Sequence, residues 1–132
     1  MLDEAKKREN ELPLVYSCSS CSNIAQLANR IAVDFDRRNI AEMSCISGVG
    51  GGVKPLVKKA QSGRKIIAID GCPLQCSKHC LANAGVSPDR HYVLTDFGLK
   101  KSNHKDFDEK DAEFFEEMIK NDLLKEEELA EI

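Results

Sequence analysis

Six cysteines occupy three short segments of the chain: CSSC at 18–21, a single thiol at Cys45, and CPLQCSKHC at 72–80. A CxxC turn lets two thiolates reach one ion. CxxxC at a helix start sets Cys72 and Cys76 one turn apart on one face. Tetrahedral zinc takes four thiolate or imidazole ligands at about 2.3 Å, and four cysteines suit an iron–sulfur cluster equally well. A third chemistry is also open. A CxxC pair at a helix amino terminus, here Cys18 and Cys21, could cycle between dithiol and disulfide as in thiol–disulfide oxidoreductases, which asks for a low-pKa thiol at Cys18. Cys80 stands apart, since it lies about 12 Å along the helix axis from Cys72. It reads as a small, buried helix residue.

These thiols need elements to hold them. LPLVYS (12–17) is a short apolar run rich in strand formers, and AEMSCI (41–46) is a second, weaker one. KIIAID (65–70) is a continuous β-branched run, as expected of a strand covered on both faces. HYVLTD (91–96) makes a fourth. Between them, Ser22 and Asn23 can cap a helix whose Ile24, Leu27, Ala28, Ile31 and Phe35 share one face. SGVGGG (47–52) reads as a flexible turn into a helix striped by Val53, Leu56, Val57 and Ala60, which Gly63 ends. A third helix is expected from about Pro73 to Gly85. An acidic amphipathic helix follows from Asp108, with Phe114, Phe115, Met118, Ile119 and Leu123 on its apolar side.

This alternation predicts a single α/β domain over 12–124, a βαβαβαβα three-layer sandwich on a four-stranded, mostly parallel sheet. Residues 1–11 are expected to be a flexible segment and 125–132 a frayed acidic tail. In such sheets ligands gather beyond the carboxyl ends of the strands, near the point where strand order reverses. Cys18 and Cys21 follow the first strand, Cys45 ends the second, and Cys72 and Cys76 follow the third. Five thiols from three distant segments therefore map to one sheet edge, an arrangement scattered core cysteines would not show. Cys18, Cys21, Cys72 and Cys76 form the expected ligand set, with Cys45 a further possible ligand. Asp70, at the end of its strand, could orient a ligand or a backbone amide from behind.

Bulk composition narrows the function. The 132 residues carry a formal net charge of −3 and give no basic footprint for nucleic acid. No apolar stretch approaches the roughly 20 residues that span a bilayer, and the charged start lacks the apolar region of a secretory signal. A cytoplasmic protein is expected, binding neither nucleic acid nor membrane, its partner an unidentified protein or small molecule. In a reducing compartment the cysteines point to metal or thiol chemistry rather than to disulfides.

IDGCPLQC, with CSSCSN and MSCISGVGG upstream and VLTDFG downstream, resembles the DGC-domain family, named for Asp70-Gly71-Cys72 here. The resemblance runs from about Leu14 to Leu99. It implies a zinc site of four chelating cysteines and no assigned biochemical role. Cys80 falls outside the family pattern.

Other motifs carry less. His79, three residues after Cys76, could substitute as a ligand, while His91 and His104 fall outside the cluster. GVGGGVK (48–54) fails the phosphate-loop pattern because Val53 separates Gly52 from Lys54. Gly50, Gly51 and Gly52 could still cradle an anion at a helix amino terminus. TDFG lacks every other kinase element. No basic residue lies between Cys18 and Gln26, which excludes a small cysteine phosphatase loop.

Overall fold

The computed structural model describes residues 12–130, so the expected flexible segment 1–11 lies outside the described residues. Four strands form the sheet: β1 (Leu14–Ser17), β2 (Glu42–Met43), β3 (Ile66–Asp70) and β4 (Arg90–Val93). The order is β2-β1-β3-β4 and every pairing is parallel. Five helices accompany it: α1 (Asn23–Arg37), α2 (Ile46–Gly50), α3 (Lys54–Ala60), α4 (Cys76–Asn83) and α5 (Glu109–Ala130).

Strand alternation divides the core in two. Val15, Ile67 and Ile69 point to one face, where Leu27, Ala28, Ile31 and Phe35 of α1 and Phe115 and Ile119 of α5 cover them. Leu14, Tyr16, Ile66 and Ala68 point to the other, against Val49, Ala60 and Leu81 of α2, α3 and α4. The result is the three-layer α/β sandwich that the sequence implies. Helix α1 begins as its residues predict: the buried Ser22 hydroxyl accepts the Ala25 N–H at 3.1 Å, satisfying an orphan donor of the first turn.

Five elements differ from their sequence pattern. The glycine-rich stretch expected as a flexible turn contains helix α2, whose glycines serve close packing. A Cβ on Gly48 would stand 2.0 Å from Leu56 Cδ1, and one on Gly50 would stand 2.8 Å from Cys80 Sγ. Strand β2 pairs over two residues only, because the chain turns at Ser44 and Cys45 into that helix. Strand β4 stops at Val93, and Leu94–Phe97 form a 3-10 turn ended by Gly98 at φ +91°. Helix α4 starts at Cys76, not at Pro73, since Gln75 before it takes a left-handed φ of 53°. At the other end, α5 continues in helical backbone past residue 124 to Ala130, across part of the expected frayed tail.

Candidate functional site

Strand order reverses between β1 and β3: the chain leaves β1 toward β2 on one side and returns to β3 on the other. Such a switch point opens a crevice beyond the carboxyl ends of its two strands. The residues that enter it here are Cys18 and Cys72. Hydrogen bonding carries the sheet pattern one step past the strands, with Cys18 N–H donating to the Ile69 carbonyl at 3.2 Å and Thr95 N–H to the Gly71 carbonyl at 3.2 Å. The Asp-Gly-Cys turn is thereby held beside the CxxC turn.

Gly71 is fixed by this approach. A Cβ there would lie 2.8 Å from the backbone carbon and oxygen of Ile24 and 2.9 Å from the Ala25 nitrogen, with no flexible side chain to yield. The close approach brings the Gly71 N–H 3.2 Å from Cys18 Sγ. Burial pushes the half-buried Cys18 thiol up to about 11; the Gly71 N–H opposes this, while Asp70, Cys76 and Cys72 add to it. A dithiol mechanism needs the reverse. The low-pKa Cys18 expected for an oxidoreductase is not what its surroundings provide, because desolvation outweighs the single N–H donor.

Asp70 is fully buried directly beneath. It accepts the Ser77 N–H at 2.9 Å and the Lys78 N–H at 3.4 Å, capping the start of α4. Its other oxygen partner is His91 Nε2 at 2.8 Å. Burial works against ionisation, but His91 and Ser77 outweigh it and hold the carboxyl below its ordinary value. Asp70 thus positions the helix that carries Cys76. His91, which the sequence places outside the cluster, sits on the strand beside it. The register does contain a clue, since Ala68 pairs with His91 and Asp70 is two residues further on the same face.

The remaining thiols spread outward. Cys21, Cys45 and Cys76 are exposed, and Cys72 is half-buried. Cys45 precedes α2 with its sulfur 3.2 Å from Ser47 Oγ; that hydrogen bond and the Gly48 N–H lower its pKa. Cys80 packs against Gly50, and burial raises its thiol. His79 and His104 are exposed. Gly50 ends α2, Gly51 caps it, and Gly52 stands just before Val53, the residue that caps the start of α3. The Gly51 and Gly52 N–H groups bond the Ser47 and Val49 carbonyls at 2.8 and 3.2 Å. A more enclosed cavity of about 340 Å³, lined by Leu12, Ile40, Ile66 and Leu123 among others, lies at the opposite end of the sheet and holds no cysteine.

Cys76 and Cys72 are close enough to Cys18 to raise its thiol, and an N–H donor on sulfur suits a metal thiolate, so the donor set fits a soft divalent cation in its chemistry. Among the described residues, no group of three or more His, Cys, Asp or Glu side chains yet stands converged on a common point.

Fold and site together define a small parallel α/β protein with a thiol-lined switch point. The family model described as the DGC domain matches residues 14–119, and the chain belongs to that family. It is 56% identical over 105 residues to the anaerobic and virulence modulator AnvM of Pseudomonas aeruginosa, an alignment covering 80% of each protein. No solved structure matches it. Among the described residues no helix is long and apolar enough to cross a membrane.

Proposed function

We propose that the protein is a cytoplasmic zinc-binding modulator whose metal is held by Cys18, Cys21, Cys72 and Cys76, with Cys45 the alternative fourth ligand. The observation that carries this reading is the Gly71 N–H aimed at the Cys18 sulfur, with Cys76 and Cys72 near enough to raise that thiol. A buried sulfur has little use for that donor as a neutral thiol. As a metal thiolate it gains both a counter-cation and a hydrogen bond. Completion of the site requires the exposed Cys21 and Cys76 to move toward Cys18 and Cys72. When bound, the ion supplies charge to hold these thiolates and a position at which a sulfur or metal species can exchange.

The name of the Pseudomonas aeruginosa relative supports a modulating role under anaerobic conditions, where thiolate ligands escape oxidation. Its action would fall on a protein or small-molecule partner, not on nucleic acid or membrane.

Elemental analysis of anaerobically purified protein tests the proposal. About one zinc per chain is expected, and Cys72→Ser should release most of it. Full zinc retention in Cys72→Ser would sink the ligand assignment. A brown protein with iron and acid-labile sulfide would replace zinc by a cluster on the same cysteines.

A further inference from the structure

The segment between the 3-10 turn and α5, residues 98–106, crosses the cysteine edge as a strap. The first residue of α1 pins it: Asn23 Nδ2 donates to the Lys100 carbonyl at 3.1 Å, and Asn23 Oδ1 accepts the Ser102 N–H at 2.7 Å. The Asn23 N–H also donates to the Ser102 carbonyl at 3.0 Å, and the His104 N–H to the Cys21 carbonyl at 2.9 Å. Both neighbours of Lys101 are therefore fixed. The exposed Lys101 ammonium, delivered between them, lies 3.7 Å from Cys72 Sγ.

Two further observations describe the charge around Lys101. Lys59 and Lys120 are paired with Glu42 and Glu117. Among the described residues Lys101 has no carboxylate partner. Residues 98–105 also carry Lys100, Lys101, His104 and Lys105 with no acid among them, in a chain whose overall charge is negative.

We infer that Lys101 makes the thiol edge a binding site for small anions, seating a carboxylate or sulfur oxyanion on its ammonium so that the ligand's reactive or ligating atom meets Cys72. The inference rests on the cysteine site proposed above and names the ligand class that site admits. A backbone-anchored, unpaired cation beside an accessible thiol attracts negative reagents more than neutral ones. An ammonium that only neutralised the thiolates would favour both kinds alike.

A size-matched pair of alkylating reagents that differ in charge separates the two. Iodoacetate and iodoacetamide each form a C–S bond at the thiolate sulfur while iodide leaves with the C–I electron pair, and one is an anion. Their rates at Cys72 are read by peptide mass spectrometry on the full chain after chelator treatment, at low salt. In Lys101→Gln the iodoacetate-to-iodoacetamide ratio should fall about fivefold, the attraction expected of unit charges about 4 Å apart in water. Lys101→Arg should keep the ratio and Lys100→Gln should leave it unchanged. Added salt should erode it in the unaltered protein. An unchanged ratio in Lys101→Gln overturns the inference, as does protection of Cys72 from both reagents or a ratio indifferent to salt. Zinc is measured on the same protein before chelation: a ratio that shifts in protein that carried no zinc as purified would keep the anion site and remove the zinc reading.

Discussion

At the residue scale, the same side chain takes opposite characters within one edge of the sheet. Cys18 is desolvated and held up to about 11, whereas Cys45 is exposed and lowered by Ser47 Oγ and the Gly48 N–H. A thiol near 11 is only about one part in a thousand thiolate at pH 8, and the thiolate is the nucleophile. In chelator-treated protein at pH 8, iodoacetamide should therefore modify Cys45 well before Cys18. Mass-spectrometric mapping of a labelling time course checks this; equal rates would mean that Cys18 is not desolvated in solution. The cysteine positions are legible in sequence because they follow strands, and strand ends share an edge in a parallel sheet. Lys101 and His91 are not. Each meets its partner across a long stretch of chain, Lys101 on Cys72 and His91 on Asp70, and no local pattern encodes those meetings.

Elements differ in how openly residues declare them. The run IIAID is legible as β3 because all five side chains are buried, and the α1 stripe because it repeats at helical spacing. Helix α2 is hidden, since its glycines signal a turn by propensity while tertiary contact with Leu56 and Cys80 requires them in a helix. The α1–α5 interface contains a carboxyl pair that periodicity also conceals. Burial, then the hydrogen bond and charge of Asp34, raise Glu116 to about 8, against weaker help from Arg38 and Arg30. The folded chain thus holds a proton that the unfolded chain loses near 4.5. This group's contribution to stability is complete below that value and is lost as pH rises toward 8. Glu116→Gln should raise the thermal midpoint relative to the unaltered protein at pH 8, with the gain shrinking toward pH 5. Circular dichroism melts at the two pH values measure it; an equal gain at both would assign the effect to packing alone.

Over the whole molecule, the two apolar cores on either face of the sheet contain none of the four proposed ligands among their fully buried members. The fold does not need an ion to assemble, yet an ion bound only by the folded state stabilises it by mass action, about 2.7 kcal/mol at a hundredfold excess over Kd. Chelation should lower the thermal midpoint while the far-ultraviolet helix signal at 25 °C stays intact. Loss of that signal would make zinc a condition of folding, and an unmoved midpoint would deny binding. The switch point adds one more consequence. The loop after β1 feeds α1, on one side of the sheet, and the loop after β3 feeds α4, on the other. Anything that joins Cys18 to Cys72 acts as a rivet through the end of the sandwich, clamping the helical layers on the two faces of the sheet. Loading or emptying the site would then tighten or loosen the molecule as a clasp does.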